Sequence, residues 1–455
     1  MKTRTIFFSM TLGTLMASAA PVVSDVSVRQ TTAGKVAVDY LLSGDAAVVT
    51  LSLQVRQADG SWQPLDDASY TSLAGDVNRV VKPSSVLKSI AWDVGTDRPQ
   101  TKVGDIRAFV EAWPLDALPC FMSVDLTYAN TETAYNCANA VKFYRSKAAL
   151  PGGIGDRRYK TEKLLMRKIP AKEVVWTMGD DKVNMESGST STKHKVTLSQ
   201  DYFIGVYELT LGQYTNYLTY ASRMLGRDVN VARTTSFSGT GDIATILSKN
   251  KDVVYADFDT CPVGFLSLHT LRGETQSGDY AISATSYGPV DPTRFLGCLS
   301  ESAGHGLAFD VPTDAQWEYA CRAGTWTTYN FGDSAPSGYT GAWFKDNPNT
   351  ADKKHPVGVF APNAWDLYDM HGNASEICLD PWISTLPSDA VRSPFGGAGA
   401  DLEKRVLRDA NYAGARLSGT VDKQGRSGAR YRMNHDGRYA QFGFRLVCPA
   451  VVTAP

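Results

Sequence analysis

Between residues 22 and 118 apolar side chains recur at every second position, and no comparable stretch there shows helical spacing. Val26-Ser27-Val28 and the runs 35–41 and 48–55 alternate apolar and polar residues, as half-buried strands do. Asp59-Gly60 separates the third run from Ser61-Trp62-Gln63, a hairpin-turn signal. Further strands fit 88–94 and 105–113. Short strands at this spacing predict an antiparallel β-sandwich over residues 21–118. Its charged residues form nothing like a catalytic set, so it reads as a spacer or adhesion module.

Ahead of it, Lys2 and Arg4 precede a short apolar core at 6–15, and Ala17-Ser18-Ala19 supplies small residues of the kind found at a cleavage site. Residues 1–20 therefore read as a signal peptide, and the mature chain is expected to be secreted or periplasmic. No later apolar run approaches the roughly 18 residues a membrane span needs. With 46 basic against 47 acidic residues, the net charge of −1 argues against a dedicated nucleic-acid binder, which carries a basic excess. Seven cysteines without a Cys-x-x-Cys pair exclude a zinc ribbon, a thioredoxin-like motif and an iron–sulfur cluster of ordinary spacing. Export permits disulfides, but an odd count leaves at least one thiol unpaired within the chain, and the pairing is open.

Residues 119–164 change character. The stretch 127–139 is polar and Pro151-Gly152-Gly153-Ile154-Gly155 is a turn cluster, so the segment is expected to be a linker. Beyond it two helices are well marked. Thr210 and Gln213 form a capping box, followed by Tyr214, Tyr217, Leu218 and Ala221 on one face. Thr313 and Gln316 form a second, with Trp317, Ala320 and Cys321 as the buried stripe and Gly324 as a left-handed cap. A shorter helix is expected from Asp291-Pro292, burying Phe295, Leu296 and Leu299.

Several motifs then occur in order: Trp176-Thr177-Met178-Gly179, His194-Lys195-Val196-Thr197-Leu198, Gly205-Val206-Tyr207-Glu208-Leu209-Thr210, the run 311–322, His355-Pro356-Val357-Gly358, the run 362–376 and Gly443-Phe444-Arg445. Together they resemble the sulfatase-modifying-factor family, whose founding member is the formylglycine-generating enzyme. The resemblance implies an α+β, C-type-lectin-like domain over 165–449 with little regular secondary structure, often stiffened by calcium. The 21–118 module loosely resembles fibronectin-type or immunoglobulin-like modules.

The resemblance also implies a reaction, the oxidation of a sulfatase cysteine to formylglycine with oxygen and copper(I) held by two thiolates. Copper(I) is soft and needs such sulfur ligands. Those cysteines follow an Arg-Gly-Gly-Ser-Trp/Tyr motif, which here reads Arg408-Asp409-Ala410-Asn411-Tyr412, so their positions fall at Gly414 and near Gly419. No cysteine occurs between Arg408 and Val447. The family's Gly-Asn-x-Trp-Glu-Trp is likewise altered, to Gly372-Asn373-Ala374-Ser375-Glu376-Ile377. No catalytic residue is assigned on this reading, and copper is not expected. His194, His355 and His371 fall inside fold motifs and read as core or turn residues. No nucleophile elbow, P-loop or His-Glu-x-x-His is present.

The resemblance places a calcium site at Asp369, Gly372, Ala374 and Glu376, all with oxygen donors that suit a hard ion. The competing reading has Asp369 capping a turn and Glu376 paired with an arginine. Between 404 and 445 ten basic residues are interleaved with Tyr412, Tyr431, Tyr439 and Phe442. Because this region forms the ligand surface of lectin-like domains, Asn411, Tyr412, Arg416, Arg430, Tyr431 and Arg432 are expected to bind a partner, an unidentified extracytoplasmic protein or glycan. The competing reading has the arginines bracing loops through backbone carbonyls. The function expected is a calcium-stabilised, non-catalytic binding module, and the alternative is a formylglycine-generating oxidase.

Overall fold

A computed structural model of the chain describes residues 19–32, 34–100, 104–127, 140–182, 191–225, 249–251, 257–273, 281–334, 341–345, 353–386, 388–413 and 425–454. The expected signal peptide lies outside the described residues except at its last two positions, and so do Arg416, Gly414 and Gly419.

The period-two region folds as expected into strands β1 (Val22–Thr32), β2 (Lys35–Ser43), β3 (Ala47–Arg56), β4 (Trp62–Pro64), β5 (Leu73–Gly75), β6 (Arg79–Val81), β7 (Ser84–Asp93) and β8 (Ile106–Pro114), with one helical turn, α1 (Val94–Asp97), between the last two. One sheet runs β1-β2-β7-β5 and the other β4-β3-β6, with β8 also paired to β3. Every pairing among these strands is antiparallel. Alternate residues from both sheets, among them Val38, Tyr40, Val49, Leu51, Ile90 and Trp92, meet in one buried cluster.

The segment expected as a linker contributes instead to the second module. Within it β9 (Phe121–Asp125) and β10 (Val141–Tyr144) pair antiparallel, and β9 also pairs with β11 (Lys163–Ile169). The cause is apolar content: Phe121, Met122, Val124, Val141 and Phe143 are all buried. The polar composition of the intervening stretch masked these two short strands in the sequence. Phe143 N also donates to Asn78 O at 2.8 Å, and Arg145 pairs with buried Asp67 at 2.7 Å, so this segment ties the sandwich to the second module.

The remainder is mixed, with short strands and few helices. Further strands are β12 (Val175–Met178), β13 (His194–Thr197) and β14 (Tyr202–Gly205), then helices α2 (Leu211–Leu225), α3 (Leu268–Arg272), α4 (Phe295–Ala303) and α5 (Asp314–Arg322). They are followed by β15 (Ser375–Trp382), β16 (Val391–Arg392), β17 (Asp401–Arg408), β18 (Tyr431–Asn434), β19 (Phe442–Gly443) and β20 (Val447–Pro449). The sheets run β10-β9-β11-β14-β20, β12-β13-β16 and β18-β17-β15-β19. Among the described residues no helix is long and apolar enough to cross a membrane.

Both capping boxes form. Thr210 N donates to Gln213 Oε1 at 3.0 Å and Gln213 N to Thr210 Oγ1 at 3.1 Å. Thr313 and Gln316 make the same exchange at 2.9 and 3.3 Å. Helix α5 closes at Ala323 (φ 44°) before Gly324 (φ 87°), so the left-handed cap begins one residue earlier than expected. Helix α4 starts at Phe295 and not at Asp291, because Asp291 turns its carboxylate back onto Thr293 N at 2.8 Å.

Candidate functional site

The core of the second module is electrostatic as much as apolar. Helix α5 places Asp314, Trp317, Glu318 and Arg322 on buried turns. Asp314 accepts from Arg408 and, at 2.6 Å, from Arg430 Nε. Glu318 accepts from Arg408 Nη2 at 2.9 Å, Arg322 Nε at 2.8 Å and Gly179 N at 2.8 Å. Burial pushes the Asp314 carboxyl up, but Arg408 and Arg430 more than offset it and hold it below its ordinary value. Next to this network Arg445 and Glu376 form a second pair, with Trp317 Nε1 donating to Glu376 Oε2 at 2.6 Å.

This geometry corrects the expected ligand surface. Arg405, Arg408, Arg426, Arg430 and Arg445 are all fully buried. Arg405 donates to the carbonyls of Leu402 and Lys404, Arg408 to those of Ser427 and Ala429, and Arg430 to that of Ile383. Asn411 and Tyr412 are buried too. Asn411 Nδ2 donates to Ser375 Oγ at 2.8 Å, and Tyr412 N to Asn373 O at 3.1 Å. Tyr431 is buried with its hydroxyl on Asp409 O and Ser375 Oγ. Arg432 alone, of the expected residues that are described, is exposed. The arginines brace loops because a domain with short strands has many backbone carbonyls to satisfy, and guanidinium forks reach several at once.

Two of the four expected calcium donors, Glu376 and Asp369, are engaged in hydrogen bonds. Glu376 Oε1 accepts from Arg445 Nη2 at 2.6 Å and Nε at 2.9 Å, and Oε2 accepts from Arg445 Nε at 3.0 Å as well as from Trp317. A carboxylate held this way by a buried guanidinium makes the ion pair of the competing reading. Asp369 Oδ2 accepts from Gly358 N at 2.6 Å, the turn-capping contact of the competing reading. Gly372 is required for shape: at φ 94°, a Cβ there would sit 2.7 Å from Trp343 N. Among the described residues no group of three or more His, Cys, Asp and Glu side chains is disposed to hold a metal ion.

A set of buried ionisable groups around Asn373 was hidden in the sequence. This residue, at φ 66°, accepts His355 N on Oδ1 at 3.0 Å and donates from Nδ2 to Glu208 Oε2 at 2.9 Å and His355 O at 3.1 Å. Ala374 N donates to Glu208 Oε1 at 2.9 Å. Burial, then Asp369 and Glu376, push the Glu208 carboxyl well above its ordinary value, and burial and Glu376 do the same to Asp409. Lys354 is fully buried with Nζ 3.1 Å from Asn250 Oδ1, and desolvation lowers it to about 7. The one signal for Glu208 in the sequence is its place between the apolar residues Tyr207 and Leu209 of a family motif.

His371 is a core residue as expected. Its Nδ1 lies 2.9 Å from Gly425 O, its Nε2 accepts Asn330 N at 3.1 Å, and burial lowers it to about 4. Cys261, Cys298, Cys321, Cys378 and Cys448 are buried and Cys120 is partly so.

Residues 162–450 match the family described as "Sulfatase-modifying factor enzyme 1-like domain". The chain is 30% identical over 342 residues to the formylglycine-generating enzyme of Bos taurus, covering 70% of this chain and 84% of that protein. It is 26% identical over 277 residues to the chaperone protein LppX of Paenibacillus barcinonensis, covering 51% of this chain and 90% of that one. Among solved structures, PvdO from Pseudomonas aeruginosa aligns over 63% of this chain and 94% of its own, at 22% identity and a TM-score of 0.44. With its family match spanning well over half of the sequence, the chain belongs to the sulfatase-modifying factor enzyme 1-like family, an α+β formylglycine-generating-enzyme fold preceded here by an all-β module.

Proposed function

We propose that this chain is a non-catalytic member of its family, an exported binding module for a protein or glycan outside the cytoplasm. The observation that carries the reading is the cysteine-free run between Arg408 and Val447, where the resemblance puts the copper-holding thiolates. Burial pushes Cys321, Cys378 and Cys448 up, away from the thiolate form that copper(I) requires. Export is supported by the leader-like pattern of residues 1–20. Sulfatase oxidation, the alternative, draws on the names of the relatives and on the shared fold, and a fold alone does not carry a reaction.

Copper(I) competition tests the reading. The full chain, titrated against a chromophoric copper(I) chelator under anaerobic conditions, is expected to leave the chelator complex intact. Capture of one copper(I) per chain would overturn the proposal.

A further inference from the structure

The outer face of the β-sandwich is covered at one end and open at the other. On β3, Val48, Thr50, Ser52 and Gln54 alternate with the residues of the buried cluster and pair with Trp113, Glu111, Phe109 and Arg107 of β8. At one end Val48 and Trp113 pack into the core of the second module, and Trp113 Nε1 donates to Thr50 Oγ1 at 2.8 Å. At the other end Ser52 and Gln54 are half-buried, Arg107 is exposed and Phe109 is 45% exposed.

Arg107 organises the open end. Its guanidinium lies over the ring of Trp62, on β4, at 4.8 Å and over that of Phe109 at 5.4 Å. Its Nε donates to Gln54 Oε1 at 2.7 Å. No carboxylate among the described residues pairs with it, whereas Arg29 and Arg56 are paired with Asp39 and Asp105. Two rings and an amide therefore hold an uncompensated cation in place. A guanidinium oriented in advance loses little freedom on taking up a carboxylate. Trp62 also lines an open cleft of about 670 Å³, with Val28, Val36, Ile106, Lys35 and Asp105. That volume lies inside the roughly 300–1,000 Å³ of ligand sites, and an extended ligand can pass from the cleft to the open face across Trp62.

A peptide that adds to a sheet draws its bonds from a free strand edge. Here β3 is paired with β8 along its length and with β4 and β6 at its ends, so the open face offers side chains only. Those side chains are two rings for C–H surfaces, the Gln54 amide and Ser52 hydroxyl for hydroxyl groups, and one guanidinium for a carboxylate. A uronic-acid sugar carries the complement: C–H faces, hydroxyls around its edge and one carboxylate. We propose that this face binds a polysaccharide of uronic-acid sugars, with a carboxylate on Arg107 and sugar rings against Phe109 and Trp62. The proposal rests on the reading of the chain as a binding module, and it names the ligand class and the part of the chain that holds it.

Calorimetry on the full chain tests it with hexamers of galacturonate, mannuronate and glucuronate, with the neutral methyl ester of each, and with hexaglutamate. At least one acidic hexamer should bind at least about tenfold more tightly than its ester and than hexaglutamate. Arg107→Gln removes the charge and should bring acid and ester to equal affinity. Phe109→Ala, at an exposed ring, should weaken binding of the acid about tenfold while the melting temperature stays put. Tighter binding of hexaglutamate would give the face to an acidic protein segment and overturn the glycan. Binding of no acidic hexamer, or an Arg107→Gln protein that still prefers acid to ester, would overturn the site. Copper plays no part in this measurement, so its failure would leave the copper(I) test standing.

Discussion

Arg445 and Glu376 close on each other at 2.6 Å with both side chains wholly buried. Arg445 also donates to the carbonyls of Gly205, Val206 and Tyr368, so one guanidinium staples β14 and the segment before Gly372 to β15. Truncating one partner strands the other charge away from water. Arg445→Met should therefore lower stability by about 3–5 kcal/mol, and the double variant Arg445→Met/Glu376→Met should recover part of that loss. Urea denaturation of the single and double variants measures both.

Asn373 turns a donor toward a carboxylate that burial already disfavours in its charged form. Asn373→Asp would set a second carboxylate against Glu208, 2.9 Å from where Nδ2 now donates. The expected loss is about 2–4 kcal/mol at pH 8, shrinking as the pH falls and one of the two acids takes up a proton. Melting temperatures at pH 5 and pH 8 give the comparison.

Glu376 is engaged by Arg445 and Trp317, and on the ion-pair reading calcium adds nothing at that position. The melting temperature should be the same in a calcium buffer and in a chelator. A chelator-induced fall reversed by calcium would show that the domain reorganises around the ion.

Much of the fold was legible because local chemistry agreed with it. The alternating runs became strands, and the Thr210–Gln213 and Thr313–Gln316 boxes closed as written, since each needs only residues three apart. The hidden parts depend on distant partners. Arg408 and Arg430 look like surface charges until α5, far away in sequence, delivers Asp314 to them.

Lys354 supplies a test with a definite sign. Its folded value of about 7 lies below its ordinary 10.5, so between those limits the unfolded chain holds a proton that the native chain has released. Stability from this group is therefore present at high pH and is lost as the pH falls toward 7. Relative to Lys354→Met, the wild-type protein should gain roughly 2 kcal/mol between pH 7 and pH 9. Denaturation curves of the two proteins at those pH values should diverge accordingly; parallel behaviour would mean that Lys354 is solvated.

The central claim, a family fold without the family's oxidation, is met most directly by incubating the full chain with copper(I), oxygen and a Cys-x-Pro-x-Arg peptide and weighing the peptide by mass spectrometry. With no thiolate pair between Arg408 and Val447, the peptide should keep its cysteine and no formylglycine aldehyde should appear. Aldehyde formed with multiple turnovers per chain would contradict the account.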